Sequence, residues 1–255
     1  DRVFCVTHNY TGYPMVKEAR ARVRRGELGP LRKLVVEYSQ GWLRTLLEAE
    51  GQKQAAWRGD PERAGVSSAL GDIGSHAHNL VRYVTGLEVA RLSADLGTVV
   101  EGRRMEDDGT VLMELEGGIR TVMVVSQIAT GERNHLRLRI YGADGALDWC
   151  QEDPDKLTLV EPDGGERILY RGDPSLSVEA ASATRLPGGH PEGFIEAFAN
   201  IYRGVAQAVR GEARTLDFPT VEDGAFGVHF IHQSVSSSRT SEWMAMAYDP
   251  GARSR

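Results

Sequence analysis

Between residues 88 and 172 the chain alternates strand-like runs and turns. The segments EVARLSADLGTVV, GTVLMELEGG, IRTVMVVSQIA, NHLRLRIYG, GALDWCQ, DKLTLVEPDGG and ERILYRG follow one another. The links EGG, GADG and PDGG are the glycine-rich turns expected between antiparallel strands. A meander this long requires a large sheet with one covered face, and it leaves the other face for water or a partner subunit. The flanking segments supply the cover. Pro14 opens a helix through Arg25, closed by Gly26 and Gly29. GHPEGFIEAFANIYRGVAQAVRG sets Phe194, Phe198, Ile201, Tyr202, Val205 and Val209 along one helical stripe that ends at Gly211. FPTVEDGAFGVHFIHQSVSSS forms a second amphipathic helix, and EWMAMAY reads as a last strand. RVFCVTH and LRKLVVEYSQGWL are predicted as the first two strands. The expected fold class is α+β: a large, mostly antiparallel sheet with helices packed on one face.

The 255 residues contain no repeat and no low-complexity linker, so residues 1–255 read as one domain. A net charge of −6 argues against nucleic acid or an anionic membrane as partner. The arginine run in KEARARVRRGELG has helical spacing with Glu18 and Glu27 beside it, and reads as a solvated helix face. No apolar run approaches the ~18 residues of a membrane span, and no signal peptide is legible. Cys5 and Cys150 lie far apart in strand-like surroundings, as buried reduced thiols of a cytoplasmic protein would. The chain starts at Asp1 without a methionine, already in strand-like sequence, and reads as the middle of a protein. It lacks the dinucleotide fingerprint G-x-G-x-x-G, a phosphate loop, C-x-x-C, H-E-x-x-H and G-x-S-x-G.

The segment LGDIGSHAHNL stands out chemically. A helix expected from Ala69 to Thr85 puts Asp72 and His76 on one face, one turn apart. A carboxylate there can orient the imidazole and raise its basicity, so that His76 takes a proton from a substrate hydroxyl. Gly71 and Gly74 keep that turn slim enough for close approach. The same spacing also suits a plain helix start, with Asp72 on the dipole and His76 in the core. A third possibility is a metal-dependent hydrolase using Asp72, His76 and His78. Gln40 and Trp42, two apart on the second strand, offer an amide and an aromatic platform on one face, as sugar sites do, or simply core and strand-end residues. Tyr10 ends the first strand and reaches either the same mouth or the edge of the core. His190, before Pro191, reads as a helix cap.

These motifs, taken in order, resemble the C-terminal domain of the glucose–fructose oxidoreductase / inositol dehydrogenase / MocA family of NAD(P)-dependent sugar dehydrogenases. VKEARARVRRGELGPLRKLVVEY is similar to the family's helix, G-x-L-G turn and strand. AAWRGDPERAG…ALGDIGSHAHNLVRYVTG is similar to its W-R-x-D-P stretch and D-x-G-x-H signature. LPGGHPEGFIEAFANIY and FPTVEDG resemble its common ending. The resemblance implies a dihydrodipicolinate-reductase-like fold and a substrate-binding and oligomerisation domain. It also implies an upstream Rossmann domain, absent from this sequence, that holds NAD or NADP and an E-K-P lysine. By that resemblance His76 is the general base, Asp72 its partner and a substrate ligand, and Trp57 and Arg58 lie near the cleft. There Arg58 binds an anionic group, unless it pairs with Asp60 or Glu62 at the surface. The implied substrate is a sugar or polyol, the implied assembly a homodimer or homotetramer through the sheet, and the isolated chain is expected to be inactive. A non-catalytic sugar-binding or assembly module of the same fold is the alternative. The chain departs from many relatives at Asn79, where they carry a carboxylate, and in AGVSSALGD, where they carry a run of glycines.

Overall fold

The structure is a computed structural model that describes residues 2–213 and 215–248. Its helices are α1 (Pro14–Arg24), α2 (Lys53–Arg58), α3 (Pro61–Ala64), α4 (Ser75–Thr85), α5 (Val178–Ala183), α6 (Phe194–Val209) and α7 (Val221–Thr240). Its strands are β1 (Leu31–Ser39), β2 (Val89–Gly97), β3 (Asp108–Leu115), β4 (Ile119–Ser126), β5 (His135–Gly142), β6 (Ala146–Cys150), β7 (Lys156–Val160), β8 (Glu166–Tyr170) and β9 (Met244–Ala245). The strands follow the order β8-β7-β6-β5-β1-β4-β3-β2-β9 in an open sheet, and the fold is the expected α+β class. The chain gathers into two compact units. One comprises the chain up to Lys33, Asn79–Leu87 and Leu138–Phe226; the other comprises Leu34–His78, Glu88–Arg137 and the chain from Gly227 on.

In the first unit β6, β7 and β8 pair antiparallel, with Leu147 opposite Leu159 and Leu157 opposite Leu169. Trp149, Leu157 and Leu169 lie in its core with Met15, Val16 and Ala19 of α1. The charged run is a solvated face only toward its end, where Arg24, Arg25 and Glu27 are exposed. Glu18 and Arg22 are buried, Arg22 Nε donates to Glu18 Oε1 at 2.7 Å, and Arg22 Nη1 reaches Glu27 Oε2 at 2.6 Å. Glu18 Oε2 also accepts the Ser177 N–H. Helical i,i+4 spacing brings the opposite charges together, and the further hydrogen bonds with Glu27 and Ser177 offset part of the cost of burying them.

Three further expectations are corrected in this unit. Residues 2–8 form no strand; Val6 N–H bonds the Pro219 carbonyl, while Val3 and Phe4 stay exposed. Alternation makes a strand only where a neighbour completes the ladder. Helix α6 starts after Gly193 and not at His190, because the preceding loop is claimed by side chains. Arg171 Nη2 donates to the His190 carbonyl, and Glu192 Oε1 accepts the N–H groups of Arg185 and Leu186. The α6 stripe divides, with Ile201 buried and Phe194, Tyr202 and Val209 exposed. Cys5 and Cys150 are free, and each is half-buried.

In the second unit β2, β3 and β4 form a regular antiparallel ladder, and β9 adds Met244 opposite Leu92. Val111, Met113 and Leu115 point inward in alternation, matching Met123 and Val125 on β4. The β3–β4 turn needs Gly117 and Gly118, both at φ near 80°. The polar excursion 44–68 folds into α2 and α3, capped by the side chains of Gln52 and Asp60. Arg103 ties its start down: the buried guanidinium binds the Leu43 and Thr45 carbonyls, Glu48 and Asp107.

Candidate active site

The site belongs to the second unit and begins just before α4. Leu70–Gly74 is a turn of π-helix that leads into α4, with the Ser75 N–H bonded to the Leu70 carbonyl five residues back. Such wide turns cost regular hydrogen bonding and recur at functional sites. This one is held from its open end. Glu106 Oε1 accepts Ser67 Oγ–H and Ser68 N–H, both at 2.6 Å, and Leu70 N–H at 3.3 Å; Ser67 Oγ accepts Gly71 N–H. The free N–H groups of a helix start are therefore paired by side chains.

Asp72 projects from the π turn into a set of donors. Arg58, the last residue of α2, grips it with two bonds, Nε to Oδ2 at 2.7 Å and Nη2 to Oδ1 at 3.1 Å. Gln127, just past β4, donates Nε2 to Oδ2 at 2.9 Å. The carboxylate expected to orient His76 is thus clamped by Arg58 and Gln127. Arg58 also donates to Gln54, and its guanidinium lies 5.9 Å from the Trp42 ring and 5.3 Å from the Trp57 ring. A planar guanidinium suits both tasks at once, bidentate grip and aromatic stacking. Its partner is Asp72, not Asp60 or Glu62; Asp60 caps α3 and meets Arg104.

Strand β1 ends at Ser39, so Gln40 and Trp42 lie beyond it and do not share a strand face. They meet all the same, because Trp42 Nε1 donates to Gln40 Oε1 at 3.0 Å. Gln40 Nε2 and Tyr38 O–H both donate to Asn134 Oδ1, at 2.7 and 2.8 Å. The Tyr38 ring meets His76 edge-on, 6.5 Å between centroids. Desolvation pushes the His76 pKa down from 6.5 to about 4, so the imidazole is neutral at pH 7, and the expected rise in its basicity from Asp72 is outweighed by burial. A pocket of about 350 Å³ opens beside Asp72 and Arg58, with walls from Trp57, Ser67, Val228 and His232.

Asp72, His76, Gln40, Trp42, Trp57 and Arg58 therefore share one neighbourhood. Tyr10 belongs to the first unit, buried in a short 3-10 turn with its ring stacked on Tyr13 and edge-on to Phe194. His78 is buried and stacks on Phe230 at 4.3 Å. Among the described residues, Asp72, His76 and His78 do not bring ligand atoms within 4.8 Å of one another. Sequence reasoning missed Tyr38, Gln127, Asn134 and His232. A polar pair closing the apolar run VMVVSQ was the available signal for Gln127.

Fold and site define a class: an open-sheet α+β chain with an aspartate clamped by an arginine that lies over two tryptophans, one turn before a histidine. The chain belongs to the GFO/IDH/MocA family, matching its C-terminal domain over residues 16–148. An inositol dehydrogenase homolog from Azotobacter vinelandii, crystallised with NAD+, is 31% identical with a TM-score of 0.91, covering 96% of this chain and 65% of that one. The same homolog was also solved with NADH and myo-inositol. An oxidoreductase from Sinorhizobium meliloti is 38% identical with a TM-score of 0.84, over the same shares of each chain. The uncharacterized oxidoreductase YfiI of Bacillus subtilis is 30% identical over 95% of this chain and 64% of its own length. The chain thus spans just under two thirds of each of these relatives. Among the described residues no helix is long and apolar enough to cross a membrane.

Proposed function

We propose that this chain is the substrate-binding part of an NAD(P)-dependent dehydrogenase that oxidises a hydroxyl of a sugar, sugar derivative or polyol. The observation that carries this reading is a carboxylate, Asp72, clamped by Arg58 and Gln127 in the wall of a pocket that Trp57 also lines, one helical turn before His76. Oxidation of an alcohol needs a group that removes the hydroxyl proton as the carbon loses hydride, and His76, one turn after Asp72, is the residue we assign to that work. Asp72 accepts a substrate hydroxyl and holds it toward His76. Trp57 and Trp42 give apolar faces that suit the C–H side of a polyol, and Arg58 fixes both Asp72 and those faces.

The residues fit an alcohol substrate lying against the reacting end of a nicotinamide cofactor, because a hydroxyl ligand (Asp72) and a base (His76) are what the alcohol requires from the protein there. They offer no phosphate cradle, in keeping with a sequence that lacks G-x-G-x-x-G. Bound NAD(P) would supply the hydride acceptor. We place most of its binding in a Rossmann domain outside this sequence, so the isolated chain is expected to be silent. The relatives crystallised with NAD+ or NADH support this reading. Assembly as a homodimer or homotetramer through the sheet is the matching proposal, supported by exposed Leu112 on β3 and exposed Ile168 and Tyr170 on β8.

The test is nicotinamide reduction by the full-length protein across a panel of sugars and polyols. Turnover with at least one polyol, with Asp72→Asn raising its KM tenfold or more, is expected. No turnover with any member, together with no polyol binding by calorimetry, would refute the reading.

A further inference from the structure

Gln127 has no part in the chemistry outlined above, yet it is fully buried and its amide is spent on one atom of the site. Its backbone is pinned at both ends: its N–H bonds the Asp107 carbonyl at 2.9 Å, and its own carbonyl accepts Leu43 N–H at 3.0 Å. Asp107 is itself held by Arg103 and by the N–H groups of Val99 and Val100. A side chain on so fixed a backbone is a rigid support. The amide is oriented by its target, since the NH2 group must face a carboxylate; Gln127 Oε1 is left buried without a partner. An unsatisfied buried acceptor costs stability, so packing alone favours an apolar residue of this size here.

The two oxygens of Asp72 are used unequally. Oδ2 accepts from both Arg58 Nε and Gln127 Nε2, whereas Oδ1 accepts from Arg58 Nη2 at the longer 3.1 Å. We infer that Gln127 is a positioning residue that fixes the rotation of Asp72 so that Oδ1 is the oxygen presented to a ligand hydroxyl. This rests on Asp72 being a substrate ligand, as proposed above. Gln127 and Arg58 approach Oδ2 from a strand end and from a helix, and the carboxylate held between them cannot turn without breaking a charge-assisted bond.

The experiment compares Gln127→Met and Gln127→Glu in the full-length protein. Gln127→Met keeps the volume and removes the donor; KM for the polyol is expected to rise about ten- to a hundredfold, with kcat within about threefold. Gln127→Glu sets a second carboxylate against Asp72, and its larger loss is expected to recover as the pH falls and the new acid regains a proton to donate. A residue that merely fills space would leave both KM values and the pH profile unchanged. Crystal structures of the Gln127→Met protein read the rotation of Asp72 without any substrate. An Asp72 still in its wild-type rotation overturns the inference even if polyol turnover stands. A wild-type protein with no polyol turnover refutes the functional reading, and the crystal comparison still decides the positioning. If Gln127→Met fails to fold, Gln127→Asn withdraws the amide by one methylene and is read the same way.

Discussion

His76 carries a cost that can be measured without any substrate. Folding lowers its affinity for a proton from the ordinary 6.5 to about 4, so between those values the unfolded chain binds more protons. Its contribution is therefore complete above pH 6.5 and is lost as the pH falls toward 4. Between pH 7 and pH 5 this amounts to about 2 kcal/mol at most. Urea unfolding of His76→Gln is expected to lose less stability than wild type over that interval; equal losses would mean the imidazole is not desolvated. The pair Asp72 and His76 was legible because helical spacing is regular, and Trp57 and Arg58 because their surroundings resemble a family motif. Gln127 was not, because a buried amide at a strand end leaves no periodic trace, and its target lies 55 positions away. Tyr10 was picked from an expected strand that does not form, which is why the sequence aimed it at the same mouth.

Elements were read best where a period is reinforced by turns. Each of the seven strand segments after residue 88 is present, since alternation and glycine links agree there. Boundaries failed where side chains outside the element decide them, as at Gly193, where Arg171 and Glu192 hold the loop before α6. The π turn was read as ordinary helix because its sequence differs from a helix start only in two glycines. Gly74 shows why one of them is needed: a Cβ there would lie 2.6 Å from Leu70 Cδ1 and 3.4 Å from Val125 Cγ1. Gly74→Ala is expected to cost about 1–3 kcal/mol by overpacking, read as a lower urea midpoint. The excursion that carries Trp57 and Arg58 depends on Arg103. Arg103→Met strands Asp107 and Glu48 in partly or wholly buried surroundings and is expected to cost about 3 kcal/mol. A thermal melt within a degree of wild type would contradict that role.

For the whole molecule, each unit draws on three stretches of chain, and the π turn with Asp72 and the first turn of α4 with His76 both fall in the second. The proposed assembly through the sheet makes its own demand: Leu112→Lys on β3 is expected to shift the sedimenting species to a smaller one, and an unchanged profile would remove that strand from the proposed interface. The most direct test of the central claim is kcat/KM for a polyol with His76→Ala in the full-length protein. Loss of the proposed general base is expected to lower it at least a hundredfold, with the fold retained. Near-normal turnover would contradict the assignment of His76 as the base and the mechanism built on it.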